Sequence, residues 1–363
     1  MSSRSRSFTP GTAAALTACS ARATTRPDSR MVSSSAADLT GCSAVEVLAM
    51  PPRLRPARLG SVDLPFTPPL HADQLFGHLA ATAVPGVEEW LPGQDPGSGA
   101  LRRSLRLPGG PAVVVVHVPP PGATSVRVEI TTTDPAEAPL AALLCRRLLD
   151  LDLDPALPDT ALSEDPALAP LVAAVPGRRT PGSPSAEEVA LRAVLGQQVS
   201  TAAARTHAAR LVAALGEPAG SSGLRLFPSA GSVAALDDDA ATRLLALPVR
   251  RRETLRNLAR VLASGALDLR HVDDGGDPSR ARAQLLALPG IGPWTAQTVT
   301  MRALGDTDAF LASDLGVLAA ARALGLPGDA RPLERKAAAW APWRSYAVQH
   351  LWGVLPHAIN ALP

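Results

Sequence analysis

Gln284-Leu-Leu-Ala-Leu-Pro-Gly-Ile-Gly-Pro-Trp-Thr-Ala-Gln-Thr-Val-Thr300 is the stretch that decides the fold. Just ahead of it, Asp277-Pro278 form an N-cap and N1 pair for a helix that the spacing predicts over 278–288. Gly290 and Gly292 permit a turn that bulkier residues resist, and Pro293 opens a second helix over 293–304. The first-turn N–H groups of that second helix have no partner within it. Two helices joined by a Gly-x-Gly turn therefore present bare amides and a positive dipole end to an anion. On a nucleic acid the anion is a backbone phosphate, a contact that positions without reading sequence. Taken alone, the same turn also serves plain helix–helix connections, and both uses stay open at this point.

Outward from the hairpin, the C-terminal side of the chain reads as all-α. Helices are expected at 185–195, 200–215, 230–246, 250–264, 313–324, 332–339 and 343–354, with Gly216, Pro248, Gly265, Gly305 and Gly325 at their ends. The N-terminal side differs. A short extended piece at 61–65 precedes helical spacing over 71–82. Two strand-like runs, 112–118 and 125–132, flank a Pro-Pro-Pro-Gly loop, and 139–149 is helical again. In the second run Val126, Val128 and Ile130 alternate with Arg127 and Glu129. The fold class is α+β: an antiparallel-sheet α+β domain over 58–160, followed by an all-α helix-hairpin-helix core.

Composition narrows the function classes. The 363 residues exceed what one core usually needs. The net charge of +2 neither demands nor excludes a polyanionic partner, and Lys336 is the only lysine among 35 basic residues. Cys19, Cys42 and Cys145 form no Cys-x-x-Cys, which speaks against a disulfide framework and a cysteine-ligated metal in the C-terminal half. No apolar run approaches the roughly 18 residues of a membrane span. Residues 1–57 are Ser-, Arg- and Thr-rich without the apolar core of a secretory signal. They are expected to be a disordered leader or the product of a start placed too far upstream, with Met31 and Met50 as other starts. The chain is expected to be cytoplasmic, without membrane attachment, and monomeric.

Leu288-Pro-Gly-Ile-Gly-Pro-Trp-Thr-Ala296 resembles the helix-hairpin-helix motif of the base-excision DNA glycosylases. Three further strings agree in order. Ala190-Leu-Arg-Ala-Val-Leu-Gly-Gln-Gln-Val-Ser200 is similar to the helix and turn these enzymes press against the duplex. Ala309-Phe-Leu-Ala-Ser-Asp-Leu-Gly316 is similar to the segment with their essential aspartate. Trp340-Ala-Pro-Trp-Arg-Ser-Tyr-Ala-Val-Gln-His-Leu-Trp352 resembles the closing helix of the DNA-3-methyladenine glycosylase II branch. Phe66-Thr-Pro-Pro-Leu70 and Ala83-Val-Pro-Gly-Val-Glu88 match the way that branch begins, so the likeness covers roughly 58–356 and implies that the helical core divides into one part of 161–186 with 307–363, carrying the catalytic aspartate, and a hairpin-bearing part of 187–306.

The resemblance implies a catalytic Asp314, with Ser313 as N-cap and the carboxylate in the first turn of a helix. A fixed carboxylate there can stabilise oxocarbenium charge or activate water as a glycosidic bond breaks. It implies a base pocket lined by Trp294 and Trp352, whose indoles would stack on a cationic alkylated purine for about 0.5–2 kcal/mol. His78 and Thr298 stand there where other members can carry aromatics. For DNA binding it points to Gln197, Gln198, Gly290, Ile291, Gly292, Thr295 and Arg344. The Gln197-Gln198 turn is either the wedge that fills the gap left by a flipped base or a plain helix cap. No cofactor is required. By the same resemblance, the backbone carbonyls of Leu286, Leu288 and Ile291 are candidates to hold a structural monovalent cation.

Lyase-type members attack the sugar with a hairpin lysine, and here that position is Trp294. The expectation is therefore a monofunctional glycosylase releasing alkylated purines of the 3-methyladenine type from double-stranded DNA, nucleoid-associated in a bacterium. Two alternatives stand beside it: a helix-hairpin-helix DNA-binding protein that has lost catalysis, and a lyase for oxidised guanine. The Arg250-Arg251-Arg252 run reads as a solvated face.

Overall fold

The computed structural model describes residues 57–363, and the expectations placed on residues 1–56 lie outside it. The N-terminal part is built on β1 (Ala57–Pro65), α1 (Ala72–Thr82), β2 (Glu88–Pro92), β3 (Gly99–Leu107), β4 (Gly110–His117), β5 (Ser125–Thr132) and α2 (Ala138–Leu149). The strands form one antiparallel sheet in the order β1-β5-β4-β3-β2. Val126, Val128 and Ile130 of β5 are buried, as the alternation requires, beside Val114 and Val116 of β4. α1 and α2 close that face, so Phe76, Leu79, Leu148 and Leu149 share a core with the strands.

β2 and β3 are elements the sequence reading passed over. In β3, Arg103 occupies a core-facing position between Leu101 and Leu105, which breaks the period-two pattern that marks a strand. It is tolerated because its guanidinium is neutralised by carboxylates from other elements. The short helices α3 (Ala156–Leu162) and α4 (Ala169–Ala174) were likewise not foreseen; at one to two turns they carry too little periodicity to register.

The helical part follows as α5 (Ala186–Leu195), α6 (Thr201–Leu215), α7 (Ala230–Ala234), α8 (Asp238–Leu244), α9 (Val249–Ala263), α10 (Pro278–Leu286), α11 (Pro293–Val299), α12 (Leu315–Ala323), α13 (Ala330–Ala337) and α14 (Arg344–Trp352). The helix expected over 230–246 is two helices. Asp237 interrupts it by accepting Ala240 N–H at 2.6 Å as a new N-cap. One apolar core joins Val84 and Val87 to residues from Val189 to Leu304, and a second gathers α3 and α4 with α12–α14 around Phe310 and Trp340. The cavity described next is lined from α1, α5, α6, α11 and α14. Among the described residues, no helix is long and apolar enough to cross a membrane.

Candidate active site

The hairpin forms as its capping residues dictate. Asp277 accepts the N–H groups of Ser279 and Arg280 at 2.9 and 3.0 Å, starting α10. Gly290 then takes φ +85°, and a Cβ there would sit 1.9 Å from Thr254 Oγ1, so both backbone sign and space demand glycine. Gly292 differs from expectation. As the N-cap of α11 it has φ −102°, open to any residue, and a Cβ on it would meet nothing within 4 Å. The fold itself places no demand on glycine there. The Ile291 N–H donates to Leu288 O at 3.1 Å and its side chain is buried in the core, so it is not one of the bare amides. Those of Gly290, Gly292 and Trp294 find no acceptor among the described residues.

Gln197 and Gln198 play different parts. Gln197 Nε2 donates to Gly290 O and to Thr295 Oγ1, both at 3.0 Å, and so lashes the α5–α6 turn to the hairpin. Gln198 is exposed, makes no side-chain hydrogen bond among the described residues and is held at φ +54°. A non-glycine residue in that region costs on the order of 1–3 kcal/mol.

Asp314 is the N-cap of α12, one residue earlier in role than expected. Its Oδ1 accepts Val317 N–H at 3.0 Å, so the carboxylate, and not the exposed Ser313, starts the helix. The indole N–H groups of Trp294 and Trp352 donate to it as well, to Oδ2 and Oδ1 respectively, each at 2.9 Å. Three donors thus hold one half-buried carboxylate in a single orientation, and among the described residues it forms no ion pair. Gly316 makes room for this: a Cβ would lie 3.2 Å from Asp314 Oδ1 and 3.3 Å from Trp352 Cδ1. Leu315, next in sequence, is 82% exposed, an unusual position for a leucine beside such a group.

Asp314, Trp294, Trp352, Thr298 and His78 all line one cavity of about 530 Å³. Trp294, Thr298 and Arg302 follow one another at i, i+4 and i+8, which puts them on one face of the hairpin's second helix and its continuation. The Thr298 hydroxyl is spent on Trp294 O at 2.7 Å. His78 is buried, with its ring 6.4 Å from that of Trp352 and inclined by 20°. Burial, together with Arg302, Arg192 and His357, holds its pKa well below the usual histidine value. The imidazole is therefore neutral, and its Nε2 lies 2.6 Å from Arg302 Nη1. A guanidinium can only donate, so Nε2 accepts and the ring proton sits on Nδ1.

Beside the cavity lies a buried charge cluster that sequence reading missed. Arg103 binds Glu88 at 2.8 Å and Glu188 at 2.9 Å; Arg192 binds the same two carboxylates at 3.1 and 2.7 Å. Burial pushes the Glu88 pKa up, but Arg192 and Arg103 outweigh it and hold the carboxyl below its usual range. Arg302 was missed too, although its place eight residues after Trp294 was the signal. Arg344, expected at the DNA, is committed to Asp308 through two bonds of 2.7 and 2.6 Å. Leu286 is exposed, and Leu288 O already accepts one hydrogen bond.

The second helix of the hairpin, the fixed Asp314 carboxylate and the cavity thus meet at Trp294. The chain belongs to the HhH-GPD superfamily of base excision DNA repair proteins. That family model matches residues 191–345, and the AlkA N-terminal domain matches 61–185. The chain is 34% identical over 292 residues to DNA-3-methyladenine glycosylase 2 of Escherichia coli strain K12, covering 80% of this chain and 95% of that protein. It is 48% identical over 306 residues to the probable bifunctional transcriptional activator/DNA repair enzyme AlkA of Mycobacterium tuberculosis strain H37Rv, covering 84% of this chain. It spans only 58% of that relative's length. Among solved structures, the 3-methyladenine DNA glycosylase from Archaeoglobus fulgidus shares the fold with a TM-score of 0.66 at 21% identity, over 81% of this chain and 97% of that one.

Proposed function

We propose that the chain is a monofunctional DNA glycosylase that hydrolyses the N-glycosidic bond of alkylated purines, of the 3-methyladenine type, turned out of double-stranded DNA. The observation that carries this is the Asp314 carboxylate, fixed by two indole N–H groups in the wall of a cavity that can take a purine. As C1′ loses the base, positive charge grows on the sugar. A carboxylate already oriented for that charge stabilises the transition state without reorganising, the condition under which electrostatic catalysis is strongest. Water ends on C1′, leaving an abasic site and the free base.

The other parts serve extrusion and grip. The open side of Gly292 and the bare amides around it suit close approach of a phosphate. Gln198, exposed at the turn braced by Gln197, is the residue placed to fill the vacated stack. Leu315 gives the rim beside Asp314 an apolar contact for the deoxyribose. Lys336, the only lysine in the chain, pairs with Asp165 at 2.6 Å and does not line the cavity, which supports hydrolysis over lyase chemistry. Catalysis of this kind requires no cofactor; a monovalent cation on the carbonyls of Leu286, Leu288 and Ile291 would only brace the turn. The protein would act as a monomer on the bacterial nucleoid.

The test is product analysis with a duplex carrying 3-methyladenine or 7-methylguanine. Free methylated base and an intact abasic strand are expected, with no adduct trapped by borohydride. Duplex binding without any base release would leave a binding protein in place of an enzyme, and a trapped adduct would replace hydrolysis by lyase chemistry.

A further inference from the structure

Arg302 is an unusual occupant of the cavity wall. Among the described residues it forms no ion pair, and its Nε is buried without a hydrogen-bond partner. The neighbouring charges do not cancel it, because Arg103 and Arg192 already balance Glu88 and Glu188. Among the described residues its one side-chain hydrogen bond is to the neutral imidazole of His78, whose Nδ1 is also buried without a hydrogen-bond partner there. A half-buried cation that lines a cavity without an ion-pair partner is costly to hold, so its presence asks for a use. Burial lowers the Arg302 pKa to about 10, and the group stays charged at neutral pH.

Position supplies the use. Trp294, which binds Asp314, and Arg302 both line the cavity, eight residues apart on the hairpin's second helix and its π-helical continuation. A nucleotide whose sugar met Asp314 would extend its base into the cavity whose wall carries Arg302. The cavity is thus negative at the sugar and positive at the far end of the base. When the glycosidic bond breaks, both electrons leave on the purine. A cationic alkylated purine becomes neutral and leaves readily. A neutral purine becomes an anion and needs help. Resting on the glycosylase reading above, we infer that Arg302, held in place by His78, is a specificity-determining residue that stabilises electron density on the departing base and so extends release to neutral purine lesions. In that step the C1′–N9 bond breaks, the oxygen of water bonds C1′, and the two protons of that water are accounted for by the new hydroxyl and by the base that leaves protonated.

The experiment measures single-turnover release from two duplexes, one with a neutral hypoxanthine and one with a cationic 7-methylguanine. Wild type should release both. Arg302→Met should lower the ratio of hypoxanthine to 7-methylguanine rate constants at least tenfold, and Arg302→Lys should recover part of it. Should Arg302→Met fail the circular-dichroism check for folding, His78→Phe keeps the ring volume, removes the acceptor that holds the guanidinium, and should lower the ratio in the same direction. Equal losses on both duplexes, an unchanged ratio, or a wild type that releases 7-methylguanine but no hypoxanthine would overturn the inference and leave the glycosylase reading standing. A wild type that releases neither base removes both.

Discussion

Replacing Arg103 by Met tests whether the buried charge cluster holds the sheet to the helices. The Arg103 side chain is 2% exposed, and those of Glu88 and Glu188 are each 4% exposed. Met preserves length and apolar volume but leaves two buried carboxylates to share Arg192, taking the cluster from neutral to a net negative charge. Stranding a buried charge in this way costs about 3–5 kcal/mol. For a chain of 363 residues each kcal/mol moves the midpoint by about 1.3 °C, so Tm should fall by roughly 4–7 °C. The neighbouring Arg102 is the control. It pairs with Glu89 with side chains 26% and 48% exposed, and loss of such a pair is worth less than about 1 kcal/mol. Scanning calorimetry of the two single variants, and of Arg103→Met combined with Glu188→Gln, completes the measurement. The double variant restores neutrality and should regain part of the loss. A midpoint for Arg103→Met within about 2 °C of wild type would refute this reasoning.

Three further outcomes are expected. Gly290→Ala should destabilise the protein through its φ of +85° and the collision with Thr254, whereas Gly292→Ala should leave Tm unchanged and weaken duplex binding; fluorescence anisotropy and calorimetry separate the two. Gln198→Gly relieves a left-handed residue, so Tm should hold or rise while base release falls, read from single-turnover rates. Burial raises the Asp150 carboxyl to about 6 against the hydrogen bond from Thr180 N–H, the Arg179 charge and the Tyr346 hydroxyl. A raised acid pKa means that the folded state keeps its proton longer than the unfolded chain, so stability falls as pH climbs from about 3.8 to about 6. Urea titrations should show that slope in wild type and its loss in Asp150→Asn.

The hairpin was legible because its constraints are local. Asp277-Pro278 caps one helix, Gly290 needs its own backbone sign, and Pro293 opens the next helix. The β4–β5 pair was legible for the same reason, through strict alternation. What escaped depended on partners distant in sequence. β3 hides behind Arg103, whose charge is answered by Glu188, 85 residues away. Arg302 was not singled out in the sequence, and its partner His78 lies 224 residues earlier. The roles of Gln197 and Gln198 were indistinguishable as letters and separate only because one faces Gly290 O and the other is exposed. Asp314 was legible as a residue but not in its geometry, since the two indole donors arrive from α11 and α14.

The most direct measurement compares wild type with Asp314→Asn on a duplex carrying one methylated purine, in single turnover and with duplex affinity measured in parallel. Asn removes the charge and keeps one carbonyl oxygen to accept from Trp352 and Val317, while its NH2 group faces the Trp294 N–H. We expect affinity to be retained and the rate of base release to fall by about two orders of magnitude or more, the scale seen when one electrostatic stabiliser is removed. Equal rates for the two proteins would contradict a catalytic carboxylate at the centre of this site.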